Sequence, residues 1–250
     1  MRSLLLAVQF LTILPIRVAT PIRDGELARS MGYYPFVGAL LGLASAGVYL
    51  IVLAAISVPA ACVCAIVATV ALSGALHLEG VADFCDGFYG GKNREQILSI
   101  MKDSHSGPMA IVGLICVLAM KWVFLWSLPQ AAIVTALILA PVLGRWTMAF
   151  LCGISNYARA EGGTGSPFIG QVKTAGILKA AIIAGIIAWA TLQWTGLLLL
   201  GVATVFAWLF KRWVTKRING MTGDTLGACS EFVEVLVFVL LSLHGPGFGR

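Results

Sequence analysis

Three carboxylates stand close together in a polar segment between His77 and Gly87. Glu79, Asp83 and Asp86 are four and three residues apart, so on an α-helix they project within about 60° of one another. Carboxylates that share a helix face repel each other unless a cation neutralises them, and hard divalent cations take oxygen ligands. The spacing therefore predicts a site for Mg²⁺, with Mn²⁺ as the alternative ion. The plain alternative is a solvated helix end.

A second polar cluster lies at Lys102, Asp103 and Ser104, directly before an apolar run that begins at Pro108. If that run enters the bilayer, Asp103 lies at the same mouth of the bundle as the first acids. Asp103 is then the candidate fourth metal ligand or the general base. Alternatively, Lys102 and Asp103 are interfacial charges whose stems cover apolar surface.

The segment between the two acidic clusters carries helix signals. The glycines that follow Phe88 and Tyr89 predict a helix break after Gly87. Asn93, with Gln96 three positions later, predicts the cap of a short amphipathic helix that reaches Asp103. Such a helix can return Asp103 to the first carboxylates.

Two arginines are candidates for binding phosphate. Arg145 lies within an apolar run, where a charge is costly unless it points into the bundle, and its planar fork suits a phosphate. Arg159 begins a loop that continues through the glycine-rich stretch 162–165, a weak signal of backbone that approaches phosphates. Both are predicted to contact the substrate.

Three further side chains are predicted to lie near the substrate. Asp224 and Thr225 belong to a glycine-rich polar turn at 222–228, which is explained equally well as a helix cap. His77 lies about 160° from Glu79 on a helical wheel. It is therefore interpreted as a packed or substrate-side histidine and not as a metal ligand.

The composition tells which environment must hold these groups in place. Of the 250 residues, 59% are hydrophobic and 11% charged, and the mean hydropathy is +0.94. A soluble domain needs a much more charged surface. The net charge of +6 is scattered between apolar runs, which argues against nucleic-acid binding, and the six cysteines show no metal-ligand spacing. The sequence predicts an integral membrane protein.

Apolar runs predict an all-α, polytopic transmembrane helical bundle of about seven spans. The runs cover 34 to 56, 60 to 82, 108 to 127, 130 to 152, two short spans within 176 to 210 that are broken near 193 to 196, and 229 to 244. The run from Leu4 to Ile16 is too short to span, so it predicts an interfacial or re-entrant helix. An eighth short span is the alternative.

Charges are confined to alternate connections of this bundle. Basic residues such as Lys92, Lys173 and Lys216 occupy these connections, and the others carry none. By the positive-inside rule, the amino terminus is cytoplasmic and the carboxyl terminus, around Gly247, is external. The acids lie on the same cytoplasmic side, which favours an enzyme fed from the cytoplasm over a channel or transporter.

We interpret residues 1–250 as one integral membrane domain of the bacterial cytoplasmic (inner) membrane. Its predicted parts are an interfacial segment at 1–30, cytoplasmic active-site loops at 83–107 and 153–175, and a cytoplasmic basic loop at 211–228. The sequence leaves the oligomeric state open, a homo-oligomer included.

Taken together, these motifs resemble the membrane cobalamin synthases, the adenosylcobinamide-GDP ribazoletransferases. The resemblance covers essentially the whole chain. It rests on the segments 10–15, 77–87, 100–104, 157–159 with 168–170, and 222–228. The motif formed by Asp83, Asp86 and Gly87 is also similar to the metal motif of CDP-alcohol phosphotransferases, which catalyse the same type of reaction.

The resemblance implies a Mg²⁺-dependent transfer of adenosylcobinamide phosphate from its GDP-activated form to α-ribazole or α-ribazole 5′-phosphate, with release of GMP. It implies catalytic roles for Asp83, Asp86 and Asp103, metal binding by these three and Glu79, and substrate contacts from the polar groups named above. Lys102 and Ser104 belong to these contacts.

Three other classes remain open from the residues alone. A CDP-alcohol phosphotransferase of phospholipid synthesis shares the metal chemistry, although its expected continuation after Gly87 is absent. An intramembrane prenyltransferase uses paired acid motifs, of which the second is here only Asp103. A transporter is the non-enzyme alternative, and the uncharged outer connections disfavour it.

Overall fold

The computed structural model of the protein describes residues 2–18 and 21–243, and the regular elements in these ranges are helical. They are α1 (Arg2–Leu11), α2 (Glu26–Ser30), a 3-10 turn (Met31–Tyr33), α3 (Tyr34–Leu53), α4 (Val58–Leu72), α5 (Leu76–Gly90), α6 (Arg94–Ile100), α7 (Pro108–Trp126), α8 (Gln130–Ile154), α9 (Thr174–Ile218) and α10 (Gly223–Leu243). The predicted all-α class is confirmed.

Five helical segments are long and apolar enough to cross a bilayer, namely α2 with α3, then α7, α8, α9 and α10. The bent pair of α4 and α5 raises this number to six if it counts as one span. The polytopic bundle is therefore confirmed, while the count of seven stays a prediction. Helix α1 has ten residues, or about 15 Å of helix, too short for a bilayer core. The predicted external terminus around Gly247 lies outside the described residues.

The predicted span at 60 to 82 is wrong in one respect, because the chain bends within it. Helices α4 and α5 meet at an angle of 91°. Gly74 and Ala75 adopt positive φ angles of 62° and 57°, which end α4 and start α5 in a new direction. Hydropathy does not detect such a break, since both sides of it are apolar. Because the chain turns at Gly74 and Ala75, the acidic segment forms a helix of its own, α5.

Two predicted loops are largely helical. Helix α5 continues to Gly90, past the predicted break at Gly87, and α6 follows within 83–107. The predicted cap of α6 is confirmed, because Asn93 Oδ1 accepts the backbone N–H of Gln96 at 3.0 Å. In the predicted basic loop at 211–228, α9 extends to Ile218 and α10 begins at Gly223. The break expected near 193 to 196 is confirmed at Leu192 and Gln193, which have non-helical backbone angles.

The break in α9 reverses the chain. A Cβ on Gly196 would lie only 2.0 Å from the carbonyl oxygen of Ala188, although eight residues of straight helix span about 12 Å. The rings of Trp189 and Trp194 also meet, with centroids 4.8 Å apart. The two halves of α9 therefore fold back on each other at this point.

Helix α8 forms the centre of the bundle and packs against α3, α9 and α10. Gly38 and Gly42 of α3 lie directly against its backbone, where an added Cβ would approach the carbonyl oxygens of Pro141 and Leu137 to 2.5 and 2.6 Å. Small residues permit such close packing between apolar helices. Helix α10 packs on the other side of α8 and also contacts α5, so the core supports the acidic helix directly.

Candidate active site

The acidic helix α5 lies against the start of α10 at unusually short range. A Cβ on Gly80 would lie 2.7 Å from the carbonyl oxygen of Asp224, and one on Gly227 would lie 3.2 Å from the Cα of His77. These two glycines let the backbones approach each other. The approach brings Asp224 from the end of the sequence to the carboxylates of α5.

Asp83 is the centre of this group of acids. Asp224, Glu79 and Asp86 all lie close enough to repel its carboxylate, while Arg159 attracts it. Within the described residues, neither Glu79 nor Asp83 accepts a hydrogen bond or forms an ion pair. The two unpartnered carboxylates, one exposed and one half-buried, leave a negative site that a cation would stabilise.

Asp86 has a structural role that the sequence did not suggest. Its Oδ2 accepts the backbone N–H of Gly107 at 2.5 Å, and its Oδ1 accepts that of Ala110 at 2.8 Å. Asp86 thus caps the first turn of α7 from another helix, where a negative charge also interacts well with the helix dipole. Its predicted roles in metal binding and catalysis remain predictions.

The predicted second cluster does meet the first. A groove of about 520 Å³ is lined by Glu79 and Asp83 on one side and by Lys102, Asp103 and Ser104 on the other. We call this the polar groove. Helix α6 and its following turn fold the second cluster back onto α5, as expected.

Asp103 is exposed in the polar groove and bonded to the residue two positions later. Its Oδ1 accepts the backbone N–H of His105 at 3.0 Å and lies 2.7 Å from the ring Nδ1. Both bonds hold the pKa of Asp103 below its ordinary value, and the backbone bond has the larger effect. Asp103 therefore stays charged at neutral pH, but such a carboxylate is a weak base.

The four predicted metal ligands do not form a complete coordination sphere by themselves. Among residues 2–18 and 21–243, no group of three or more His, Cys, Asp and Glu side chains is placed so that it could hold a metal ion. Mg²⁺ is commonly bound by one or two carboxylates together with substrate phosphates. The unpartnered pair of Glu79 and Asp83 has the donor chemistry for that mode of binding, and the metal site stays a prediction.

Arg159 closes the site from the loop after α8. Its guanidinium donates to Asp224 Oδ2 and to the carbonyl oxygen of Met101, both at 3.3 Å. This loop is fixed by a backbone bridge between Tyr157 and Met221. Ala158 N–H donates to the carbonyl oxygen of Met221, and Met221 N–H donates to that of Asn156, both at 2.9 Å. Arg159 therefore lies beside the acids, as predicted. Lys102 and Glu161 form an ion pair at 3.7 Å, and both side chains are exposed.

Arg94 is a residue of the site region that the sequence reasoning missed. Its guanidinium donates to the carbonyl oxygen of Ile218 at 3.1 Å and to that of Ala158 at 2.7 Å. It thereby ties α6 to the loop after α8 and to the end of α9. One arginine after a helix cap carries no local signal of such a role, so only the tertiary structure identifies it.

Thr225 serves as part of a helix cap. Its hydroxyl accepts the backbone N–H of Thr222 at 2.9 Å, and the hydroxyl of Thr222 accepts the N–H of Thr225 at 3.2 Å. This reciprocal arrangement is a capping box at the start of α10. Its result is to fix the neighbouring Asp224. A substrate contact by Thr225 stays a prediction, since the side chain is fully buried.

Arg145 has partners other than the predicted phosphate. The side chain is 1% exposed, pairs with Glu234 and donates to His77 Nδ1 at 3.1 Å. Lys121 of α7 lies 2.5 Å from Glu231 and 2.7 Å from Glu234, which makes one buried ionic network across three helices. The sequence reasoning missed Lys121, a lone charge in an apolar run. Arg145 does not line the polar groove, and its phosphate contact stays a prediction.

The chain was also compared with known proteins. It is 35% identical over 248 residues to the adenosylcobinamide-GDP ribazoletransferase of Clostridium novyi (strain NT), covering 99% of both chains. It is 40% identical over 242 residues to that of Desulforamulus reducens, covering 96% of both, and 39% identical over 242 residues to that of Pseudomonas entomophila, covering 95% of this chain and 97% of the relative. No solved structure matches the chain significantly. The sequence pattern of the cobalamin-5-phosphate synthases matches residues 3–242, and the protein therefore belongs to the cobalamin-5-phosphate synthase family.

Proposed function

We propose that the protein is an adenosylcobinamide-GDP ribazoletransferase whose reaction takes place in the polar groove. The observation that carries this proposal is the pair of unpartnered carboxylates, Glu79 and Asp83, that line the groove beside Asp103. The full-length similarity to ribazoletransferases supplies the substrate class. Family membership also favours this activity over phospholipid synthesis, prenyl transfer and transport.

The reaction is a single displacement at phosphorus. A secondary ribose hydroxyl oxygen of the acceptor attacks the phosphorus that carries the cobinamide ester, and a new P–O bond forms. The bond between that phosphorus and the bridging oxygen breaks, so GMP leaves with the bridging oxygen. The hydroxyl proton passes to a carboxylate. The acceptor is α-ribazole or α-ribazole 5′-phosphate. Since the 5′ oxygen of the second is esterified, the attacking hydroxyl is a secondary one that both molecules carry.

The acidic helix is proposed to hold the diphosphate through a divalent cation. Mg²⁺, or Mn²⁺ in its place, would bind Glu79 and Asp83 and would neutralise the charge that develops on the leaving GMP. Asp86, which caps α7, would keep the end of α5 in place. Asp103, a weak base that is charged at neutral pH and lies exposed in the groove, is the proposed proton acceptor, and Glu79 and Asp224 are the alternative carboxylates within the site.

The cationic side chains are proposed to orient the phosphates. Arg159 lies between Asp224 and the turn after α6, and its fork has a buried Nε with no partner among the described residues. Lys102 and Ser104 line the polar groove opposite the acids. These donors would position the diphosphate for attack, which contributes through orientation and electrostatic stabilisation.

We further propose that the groove opens to the cytoplasm, with the amino terminus inside and the carboxyl terminus outside the cytoplasmic membrane. Apart from the buried network of Lys121, Arg145, Glu231 and Glu234, most charged residues lie in or beside the connections that the positive-inside rule assigns to the cytoplasm. Both substrates carry polar groups and therefore reach the site from the aqueous side of the membrane. The proposal does not depend on the oligomeric state.

The test is GMP release by the purified protein in detergent or liposomes, with adenosylcobinamide-GDP and α-ribazole. We expect release that requires both substrates, and a loss of about 10²-fold or more in Asp83→Asn. Asp24→Asn, which removes an exposed acid outside the groove, is the matched control and should turn over normally. Absence of GMP release from the folded wild-type protein would overturn the proposed function.

A further inference from the structure

A second cavity, of about 200 Å³, lies next to the polar groove and differs from it in character. Its walls include three aromatic side chains, Phe10 of α1, Tyr34 of α3 and Phe168 of the loop after α8, beside sulfur-containing, glycine and acidic residues. The rings of Phe10 and Phe168 stack obliquely, with centroids 4.8 Å apart. We call this the aromatic cavity. It exceeds the roughly 150 Å³ of an apolar cavity that accommodates benzene.

The two cavities share a carboxylate. Glu79 lines both the aromatic cavity and the polar groove, and Asp224 lines the aromatic cavity beside it. A molecule with a flat apolar part and a polar part could therefore place its ring in one space and its reactive end at the acids.

Two side chains that line the aromatic cavity each have a buried hydrogen-bonding atom without a partner among the described residues, the hydroxyl of Tyr34 and Nε2 of His77. His77 lines the cavity and is 2% exposed. Its Nδ1 lies 3.1 Å from Arg145, and a guanidinium group only donates hydrogen bonds. Nδ1 must therefore accept, so in the neutral ring the proton is on Nε2. Nε2 is buried and has no partner among the described residues.

The orientation of His77 is fixed from behind. Arg145 is held by Glu234, which also binds Lys121 at 2.7 Å, while Lys121 binds Glu231 at 2.5 Å. The two basic and two acidic groups balance in charge. The network thus sets the tautomer of His77 and directs its single N–H away from Arg145, as buried polar networks do for other oriented histidines.

The arrangement specifies the chemistry of its occupant. The aromatic walls favour a flat ring. An occupant that pairs with His77 Nε2 carries a hydrogen-bond acceptor in the plane of its ring, because a buried donor without an acceptor is unfavourable. The benzimidazole base of α-ribazole has these properties, since one ring nitrogen bears the ribose and the other keeps an in-plane lone pair. A lipid chain would leave Nε2 unpaired.

We propose that the aromatic cavity binds the base of the acceptor, with His77 Nε2–H donating to its imine nitrogen. The inference rests on the proposed transferase function and adds which substrate this cavity holds and by which atom. The ribose would then extend towards Glu79 and Asp224, which brings its reacting hydroxyl to the polar groove. A guanine ring of the other substrate is the competing occupant.

The experiment changes one atom of the acceptor. GMP release is measured with α-ribazole and with its analogue in which C–H replaces the imine nitrogen, an indole riboside. The wild-type protein should prefer α-ribazole by about 10- to 100-fold in kcat/KM, the scale for an unpaired buried donor. In His77→Leu this preference should fall to nearly one, with a raised KM for α-ribazole and little change in the KM for adenosylcobinamide-GDP.

A control variant separates the role of His77 from a general effect of removing a histidine. His105→Leu removes an exposed histidine outside the cavity and should keep the preference, whatever its effect on rate. Equal use of both acceptors by the wild-type protein, or an unchanged preference in His77→Leu, would overturn the inference while leaving the transferase function standing. A raised KM for adenosylcobinamide-GDP alone would assign the cavity to guanine. The comparison of the two acceptors with the wild-type protein does not depend on whether a variant folds. Absence of turnover with both acceptors would instead contradict the proposed function.

Discussion

Asp86 and Asp83 lie on the same helix, are both half-buried and were predicted for the same metal, yet the structure gives them opposite effects on stability. Both oxygens of Asp86 accept backbone N–H groups at the start of α7, from Gly107 and Ala110. Asp83 accepts no hydrogen bond within the described residues and is repelled by three neighbouring acids. Replacing each by alanine therefore separates the capping role from the metal role.

The loss of stability expected in Asp86→Ala follows from the helix cap and the negative charge that this substitution removes. Removing a helix cap costs about 0.5 to 2 kcal/mol, and losing the negative charge at the helix amino terminus costs about 0.3 to 1 kcal/mol. The sum, roughly 1 to 3 kcal/mol, lowers the midpoint of thermal unfolding by about 2 to 12 °C for a chain of this size. Asp86→Asn keeps one acceptor oxygen and should lose about half as much.

The assay is thermal unfolding of the purified proteins in one detergent, followed by intrinsic tryptophan fluorescence. Asp86→Ala should unfold at a lower temperature than the wild-type protein. Asp83→Ala should unfold at the same or a higher temperature, because repulsion is relieved, although it should lose GMP release. An unchanged midpoint in Asp86→Ala, or a decrease of equal size in Asp83→Ala, would refute the assignment of Asp86 as the cap of α7.

Four further predictions concern the metal, the base, the buried network and the topology. Chelation should stop GMP release by the wild-type protein and added Mg²⁺ or Mn²⁺ should restore it; activity that survives chelation would exclude the cation. Asp103→Asn should lower kcat by about 10²- to 10⁴-fold if Asp103 accepts the proton, whereas normal turnover would direct the search to the other carboxylates of the groove. Lys121→Met should lower the yield of folded protein, since unpairing buried charges costs about 3 to 5 kcal/mol, and added Glu231→Gln should restore part of it; equal yields for all three proteins would contradict the network. A cysteine at Lys92, in a background without native cysteines, should react with an impermeant thiol reagent only after the cells are opened, and labelling of intact cells would reverse the orientation.

Much of the site was predictable because it depends on local chemistry. The spacing of Glu79 and Asp83 already indicated that they share a helix face, and the cap formed by Asn93 and Gln96 indicated a helix that returns Asp103 to them. These signals act over a few residues, and the structure contains both the acidic helix and the groove they predict.

The misplaced elements share one physical cause. Apolar runs report that a segment can be buried but not where it bends, so the 91° break at Gly74 was read as one continuous span. Charge alone was equally silent at Lys121 and Arg145, whose carboxylate partners are more than 80 residues away in the chain. The capping role of Asp86 was missed for the same reason, since its partners at the start of α7 lie outside its own helix.

The sequence by itself determined the membrane environment, the helical class and the shared helix face of Glu79, Asp83 and Asp86, because hydropathy and helical periodicity are local properties of the chain. Only the tertiary structure decided which carboxylate caps a helix, which arginine is neutralised in the core, and how His77 came to face an aromatic cavity with its Nε2 unpaired. These outcomes depend on the close contact of α5 with α10, which Gly80 and Gly227 permit. The sequence periodicity of a helix does not show which distant helix it contacts, so these contacts are determined only when the helices pack.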